Sequence, residues 1–311
     1  METSQEKEGI VLVMGVTGVG KSTFINQLKP GSAVVGHTME STQAPQAVKL
    51  FLDGDHTESV TVVDTPGFDD TFRSDEKVLE AIAEFLATQY ILGVPLKGII
   101  YMHSITEVRM KGSSLKFLNM FQSLCGDEAM KKVSLVTTHW DAIKPEDMRN
   151  ALLREQELIN RWWAPMLEKG SVPTRYHGSY ESAEAILLEL TQDEESIVLD
   201  VQRELVDYNK KLGETRAGLP FKQTVDEEIA KFMSSAAKSD DQDNDTVQGT
   251  PQDDKLEERQ ERLKANIGER VKMRIARIRE ELKNSPGVVT EVKIFVKVLN
   301  LALTIASLAT M

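Results

Sequence analysis

The chain has 311 residues, and its 37 Lys and Arg against 49 Asp and Glu give a formal net charge of −12. That acidic balance argues against general affinity for nucleic acid. Cys125 is the single cysteine, which excludes an intrachain disulfide, fits a reducing compartment and reads as a small core residue. The length suits one large domain, or one domain with an appendage. The polar start, Met1 to Glu8, reads as no signal peptide, and Glu2 offers no myristoylation site, so a cytoplasmic protein is expected.

The first strand is expected over 10–14 and runs into Gly15-Val16-Thr17-Gly18-Val19-Gly20-Lys21-Ser22, with a helix over 22–29. This is a GxxxxGK[ST] loop in its strand–loop–helix setting. Its glycines let successive N–H groups converge on phosphate oxygens, and the helix N-terminus adds partial positive charge. Thr17 to Thr23 would line the phosphates, with Lys21 as the point charge and the Ser22 hydroxyl on Mg²⁺. Lys29 to Pro45 is polar and reads as a first switch. Thr42 lies 20 residues after Ser22, a reach from which its hydroxyl could close on Mg²⁺ and a γ-phosphate; Thr38 and Ser41 are rivals, and His37 reads as a solvated loop histidine or a phosphate contact.

Strands over 47–52 and 59–63 flank Asp53-Gly54 and predict an antiparallel hairpin. The second ends in Asp64-Thr65-Pro66-Gly67. Asp64 there can hold Mg²⁺ through water, and the Gly67 N–H can meet a γ-phosphate. A helix over 75–91, a strand over 97–102, a helix over 112–124 and a strand over 132–137 follow, leading into Thr138-His139-Trp140-Asp141. The Asp141 carboxylate can accept from N1–H and N2–H₂ of guanine, donors that adenine lacks. A helix over 146–168 carries Trp162-Trp163, which reads as core or helix packing. A strand over 172–176 and a helix over 180–191 flank Tyr176-His177-Gly178-Ser179, where Gly178 and Ser179 could give backbone N–H groups to guanine O6.

Gly15 to Thr23, Ser41-Thr42, Asp64 to Thr71 and Thr138 to Asp141 together resemble guanine-nucleotide-binding proteins of the translation-factor-related class. The nearest branch resembles the immunity-associated GTPases and their plant and fungal relatives, alongside septins and the chloroplast import receptors. The resemblance covers about residues 8–190. It implies an α/β, P-loop GTPase three-layer sandwich, mostly parallel with one antiparallel edge hairpin, binding GTP or GDP with Mg²⁺. It favours Thr42 as the switch hydroxyl and implies slow GTP hydrolysis, with catalytic roles for Lys21, Thr42, Gly67 and Arg109. The metal would lie on Ser22, Thr42 and Asp64. The nucleotide would lie on Thr17 to Thr23, Thr138, His139, Asp141, Gly178 and Ser179. Arg109 lies in a box, His103 to Met110, that in those relatives resembles a dimer-facing element able to send an Arg to the partner's nucleotide; an ordinary surface salt bridge is the other reading. Two departures stand out. His139 replaces the Lys of the [NT]KxD pattern, so that its imidazole or Trp140 could stack on the base. Phe68 stands where many small GTPases orient water with Gln.

The expected organisation is a G domain over 8–190, a helical extension over 191–237 (an amphipathic helix over 194–236), an acidic linker over 238–254, and a long amphipathic helix with an apolar tail over 255–311. In the linker, Ser239 to Asp254 carries six Asp and no Lys or Arg. Leu256, Leu263, Ile267, Val271, Ile275, Ile278 and Leu282 form one stripe on a helix whose other faces are basic. That region could pack on the G domain, pair with a partner helix as a coiled coil, or lie peripherally on a membrane. The 14 uncharged residues from Val298 to Met311 are short of the roughly 20 that span a bilayer. Two functions stay open: a GTP-hydrolysing switch, acting through homodimerisation, and a GTP-dependent assembly or membrane scaffold with negligible turnover.

Overall fold

The computed structural model describes residues 7–29, 46–51, 58–68, 74–221 and 269–280. His37, Thr38, Ser41, Thr42, Asp69 to Thr71, the acidic linker and the apolar tail lie outside these residues. Six strands, β1 (Lys7–Gly15), β2 (Gln46–Phe51), β3 (Glu58–Asp64), β4 (Leu96–Ser104), β5 (Val133–Thr138) and β6 (Val172–Arg175), form one sheet ordered β2-β3-β1-β4-β5-β6. β2 and β3 are the expected antiparallel pair, and every other neighbour is parallel.

The central strand explains the layering. Val11, Leu12, Val13 and Met14 are all fully buried, because helices cover both faces and the strand reads as a continuous apolar run. Their side chains alternate, as the two-residue period of a strand requires. Val11 and Val13 pack with Phe24, Ile25, Ile186 and Leu187, from α1 (Lys21–Leu28) and α6 (Tyr180–Thr191). Leu12 and Met14 pack with residues such as Leu79, Ile82, Leu118 and Phe121, from α2 (Asp75–Ile91) and α3 (Gly112–Cys125). Cys125 is buried at the end of α3, and burial pushes its thiol well above the ordinary range, which makes it an inert core residue.

Two expected helices differ from the sequence reading. The one over 146–168 is α4 (Met148–Glu157), a π turn over Leu158–Trp162 and a short α5 (Ala164–Leu167). The Trp163 N–H bonds to the Leu158 carbonyl at 2.7 Å, and this wider turn rotates the Trp163 indole into the core, while Pro165 has no N–H to continue the previous helix. The amphipathic helix over 194–236 is, as far as residue 221, a series of short turns at Asp200–Gln202, Arg203–Asp207 and Leu212–Glu214. Leu199, Val201, Leu205, Leu212 and Phe221 join the same core as α2 and α3, and the chain must change direction to bury them all. The buried Gln202 amide pins this segment by donating to the Leu86 carbonyl at 2.9 Å.

Residues 269–280 are helical, and the predicted stripe is visible there: Val271 and Ile275 are buried in that core and Ile278 packs against it. Arg274 pairs with Glu84 of α2 at 3.2 Å, and Lys211 pairs with Glu269 at 2.6 Å. In this stretch the helix therefore packs on its own domain, the first of the three readings. Beneath it, burial pushes the Glu80 carboxyl up to about 7, partly opposed by Arg270. Among the described residues no helix is long and apolar enough to cross a membrane.

Candidate functional site

The C-terminal ends of β1, β3, β4 and β5 gather the motif residues at one edge, where ligands of such sheets bind. β1 ends at Gly15, and the chain then turns through Gly18 (φ 83°) and Gly20 (φ 94°), left-handed conformations that glycine adopts freely. α1 starts at Lys21 with no side chain capping its N-terminus, so its first N–H groups face the loop. The Lys21 ammonium is buried and donates to the carbonyls of Gly15 and Val16, each at 3.0 Å. β1 pairs Val13 with Asp64 of β3, which carries the fully buried Asp64 carboxylate to the loop. There it accepts from the Ser22 hydroxyl at 2.6 Å. A hydroxyl and a carboxylate at that spacing are hard oxygen donors of the kind Mg²⁺ takes, so the residues fit that ion.

The segment after β3 closes on the same loop. Thr17 N–H donates to the Phe68 carbonyl at 2.8 Å. A Cβ on Gly67 would fall 2.4 Å from Thr17 Oγ1 and 2.7 Å from its backbone, so only glycine permits this approach. The Phe68 ring turns away into the core and stacks on Phe117, with centroids 4.6 Å apart. No side chain at position 68 faces the phosphate loop.

At the other end of the site, the buried Thr138 hydroxyl donates to the Val19 carbonyl at 2.8 Å and so ties β5 to the phosphate loop. His139 follows with φ 59°, left-handed and uncommon for a residue other than glycine, although histidine enters that region more often than most. Its Nδ1 lies 2.9 Å from Ser104 Oγ, and its Nε2 lies 3.4 Å from the place a Cβ on Gly20 would take. Of the two stacking candidates, Trp140 is used elsewhere: it is buried, donates to Thr137 Oγ1 at 3.0 Å and carries Arg175 on its ring face at 4.5 Å. Asp141 is exposed. Gly178 is exposed with φ 77°, and the Ser179 hydroxyl caps α6 by accepting from the Ser182 N–H at 3.3 Å. Tyr176 is buried edge-on against Phe24, and burial, then the Asp141 charge, push its hydroxyl up to about 12. Thr23 is exposed at the start of α1.

The box after β4 is ordered from within. Glu107 accepts from Ser114 Oγ at 2.9 Å and from the Lys111 N–H at 3.1 Å, and lies 3.8 Å from the His103 imidazole. Burial lowers the His103 pKa, with Glu107 opposing. Val108 is 70% exposed. Arg109 is exposed too, and no hydrogen bond or ion pair holds it among the described residues, which leaves the salt-bridge reading without a partner there. Sequence reasoning did not single out Ser104 or Glu107: the partner of Ser104 depends on strand register, and Glu107 closes on its own box and the start of α3.

Residues 10–118 match the profile of a family described as 50S ribosome-binding GTPase. GTP-binding protein A of Dictyostelium discoideum is 25% identical over 154 residues, 49% of this chain and 33% of the relative. Translocase of chloroplast 34 of Arabidopsis thaliana is 26% identical over 139 residues, 44% of this chain and 42% of the relative. The chain thus spans well under half of the length of either relative. Among solved structures, Toc33 from Arabidopsis thaliana with Mg²⁺ and GMPPNP aligns at TM-score 0.49 and 19% identity, covering 62% of this chain and 88% of that one. The strand–loop–helix start and the mostly parallel sheet with one antiparallel pair give the chain the P-loop GTPase fold, and residues 10–118 are similar to the family of that profile.

Proposed function

We propose that the chain binds GTP with Mg²⁺, hydrolyses it slowly and acts as a nucleotide-dependent switch, with a second copy completing the catalytic site. The observation that carries this reading is the convergence of two distant segments on one loop: Asp64 meets Ser22 at 2.6 Å and Thr138 meets Val19 at 2.8 Å. In it, the loop N–H groups from Thr17 to Thr23 and the Lys21 ammonium hold the phosphates. Ser22, Asp64 and Thr42 hold Mg²⁺, which when bound neutralises charge on the phosphate oxygens. The Gly67 N–H meets the γ-phosphate and moves when that phosphate leaves. Asp141 reads guanine, with Gly178 and Ser179 offering N–H groups to O6. Phe68 is spent on the core and cannot orient water, so the domain alone turns over slowly. Arg109, exposed and without a partner among the described residues, lies beside an exposed Val108 and suits delivery across an interface, where such arginines are worth about 10³–10⁵ in rate.

The burial of Phe68 also favours the second reading, a GTP-dependent scaffold with negligible turnover. Phosphate release measured against protein concentration separates the two. Specific activity that rises through the micromolar range, and loses that rise in Arg109→Ala with nucleotide affinity nearly unchanged, supports the shared site. A flat line rules the shared site out, and no release at any concentration leaves the scaffold. A rise that survives Arg109→Ala keeps the dimer and moves the catalytic group elsewhere.

A further inference from the structure

We propose that Ser104 is a positioning residue of the nucleotide site, holding the His139 imidazole in the tautomer that offers Nε2–H to an oxygen of the bound nucleotide. The inference rests on the nucleotide reading given above and adds to it the group that replaces a lysine's fixed charge.

Strand register brings the two side chains together. β4 pairs Ser104 with Thr138 of β5, and the Ile105 N–H donates to the Thr138 carbonyl at 3.1 Å, so Ser104 and His139 leave neighbouring strands at one level. An extended residue after Thr138 would send its side chain onward. The left-handed turn at His139 folds it back across the strand ends instead. Such a conformation costs of order 1 kcal/mol or more for a residue with a side chain and persists where its surroundings hold it. What holds it is Ser104 at 2.9 Å on one side of the ring and the Gly20 backbone on the other, where a Cβ would sit 3.4 Å from Nε2. The ring therefore spans from the 103–110 box to the last glycine before Lys21.

The proposed tautomer follows from one assignment of the protons around Ser104. The Thr138 hydroxyl is 3.5 Å from Nδ1, but its proton is committed to the Val19 carbonyl at 2.8 Å. Ser104 Oγ accepts from the Thr106 N–H at 3.3 Å and lies 2.7 Å from Thr106 Oγ1, whose proton it can also accept. With Thr106 Oγ1 taken as a donor to Ser104 Oγ, the Ser104 hydroxyl proton is left for Nδ1. A neutral imidazole that accepts at Nδ1 carries its hydrogen on Nε2. The reverse arrangement would turn the Nε2 lone pair on the phosphate loop and on the oxygens of its ligand. A lysine carries its charge unaided; a histidine here needs a hydroxyl behind it.

Calorimetric titration of Mg²⁺·GDP into the full chain tests this. Wild type must bind, and Lys21→Ala must not; if both fail to bind, the nucleotide reading falls and this inference with it. Given binding, Ser104→Ala should weaken GDP by about 5–10-fold, the worth of one partly buried hydrogen bond, and Ser104→Thr should restore affinity to within about twofold. In a His139→Lys background, and in His139→Ala should that variant fold poorly, adding Ser104→Ala should cost less than about twofold. Long-range ¹⁵N–¹H spectra of the GDP complex should show the His139 ring protonated at Nε2 alone. Wild-type affinity in Ser104→Ala, an undiminished penalty without His139, or a proton on Nδ1 would each overturn the assignment.

Discussion

At the phosphate end of the site, the candidate groups already serve the protein. Lys21 holds two loop carbonyls, Ser22 donates to Asp64, and the Thr17 N–H is given to Phe68. At the end proposed for the base, Asp141 and Gly178 stand exposed, and no hydrogen bond engages the Asp141 carboxylate among the described residues. The difference has a mechanical meaning. Phosphate oxygens compete with internal contacts, so the Thr17 N–H can be taken by a ligand only if Phe68 gives it up, and Gly67 moves with Phe68. A base competes only with water. The two ends should thus divide the work: the phosphates drive rearrangement, and the base decides which nucleotide arrives.

The largest expected effect breaks the phosphate end. Lys21→Ala removes the one buried cation placed in the loop and should cost Mg²⁺·GTP at least about 100-fold in affinity, about 2.7 kcal/mol. Titration calorimetry reads it, and unchanged binding would remove the loop from the site. Next comes the base end. Asp141→Asn should weaken GTP by about tenfold or more, about 1.4 kcal/mol, and favour xanthosine nucleotides, whose base presents an acceptor where guanine presents a donor. It should leave inorganic pyrophosphate binding as it was. Equal affinity of the wild type for ATP and GTP would defeat the base assignment outright.

A smaller effect concerns the support of the phosphate end, since α2 follows the Asp64–Phe68 segment. Glu80 on α2 has its carboxyl raised by burial, to about 7 from an ordinary 4.5. A raised pKa in the folded state means that the protonated form is the one the fold favours. That contribution is complete below pH 4.5 and is lost as pH rises through 7. Glu80→Gln keeps the neutral form at all pH values. Its melting temperature relative to wild type should therefore climb between pH 5 and pH 8, by the equivalent of about 1 kcal/mol once solvent screening of this half-buried group is allowed for. A constant offset across that range would show that Glu80 does not titrate in the fold.

How much of this was legible in the sequence follows from what each feature depends on. The strands and the hairpin were legible because runs such as Ile10 to Met14 are buried on both faces and announce themselves by composition. The loop and the place of Asp64 beside it were legible because both belong to short local motifs. The π turn before Trp163 was hidden, since its cause is the distant core that the indole must reach. The turns over 199–221 were hidden for the same reason: apolar residues at irregular spacing mimic a helical stripe until the surface they cover is known. Ser104 and Trp140 show the remaining gap. The partner of one depends on the register of β4 against β5, and the direction of the other on Arg175 and Thr137 beneath it.

The smallest expected effect tests whether the two ends are one site. Thr138→Val keeps the volume and the β-branched shape but removes the hydroxyl that holds the Val19 carbonyl. The carbonyl is then buried without that donor, which costs about 1 kcal/mol of folding stability. If the tie only supports the fold, denaturant unfolding will register that loss while GDP affinity stays put. If it couples the ends, GDP affinity should also fall about threefold. The penalty should then shrink in a Lys21→Ala or an Asp141→Asn background, because removing one end leaves nothing for the tie to align. Simple additivity in both backgrounds would mean that phosphate and base are bound by independent halves, and the comparison drawn above would describe two sites that merely adjoin.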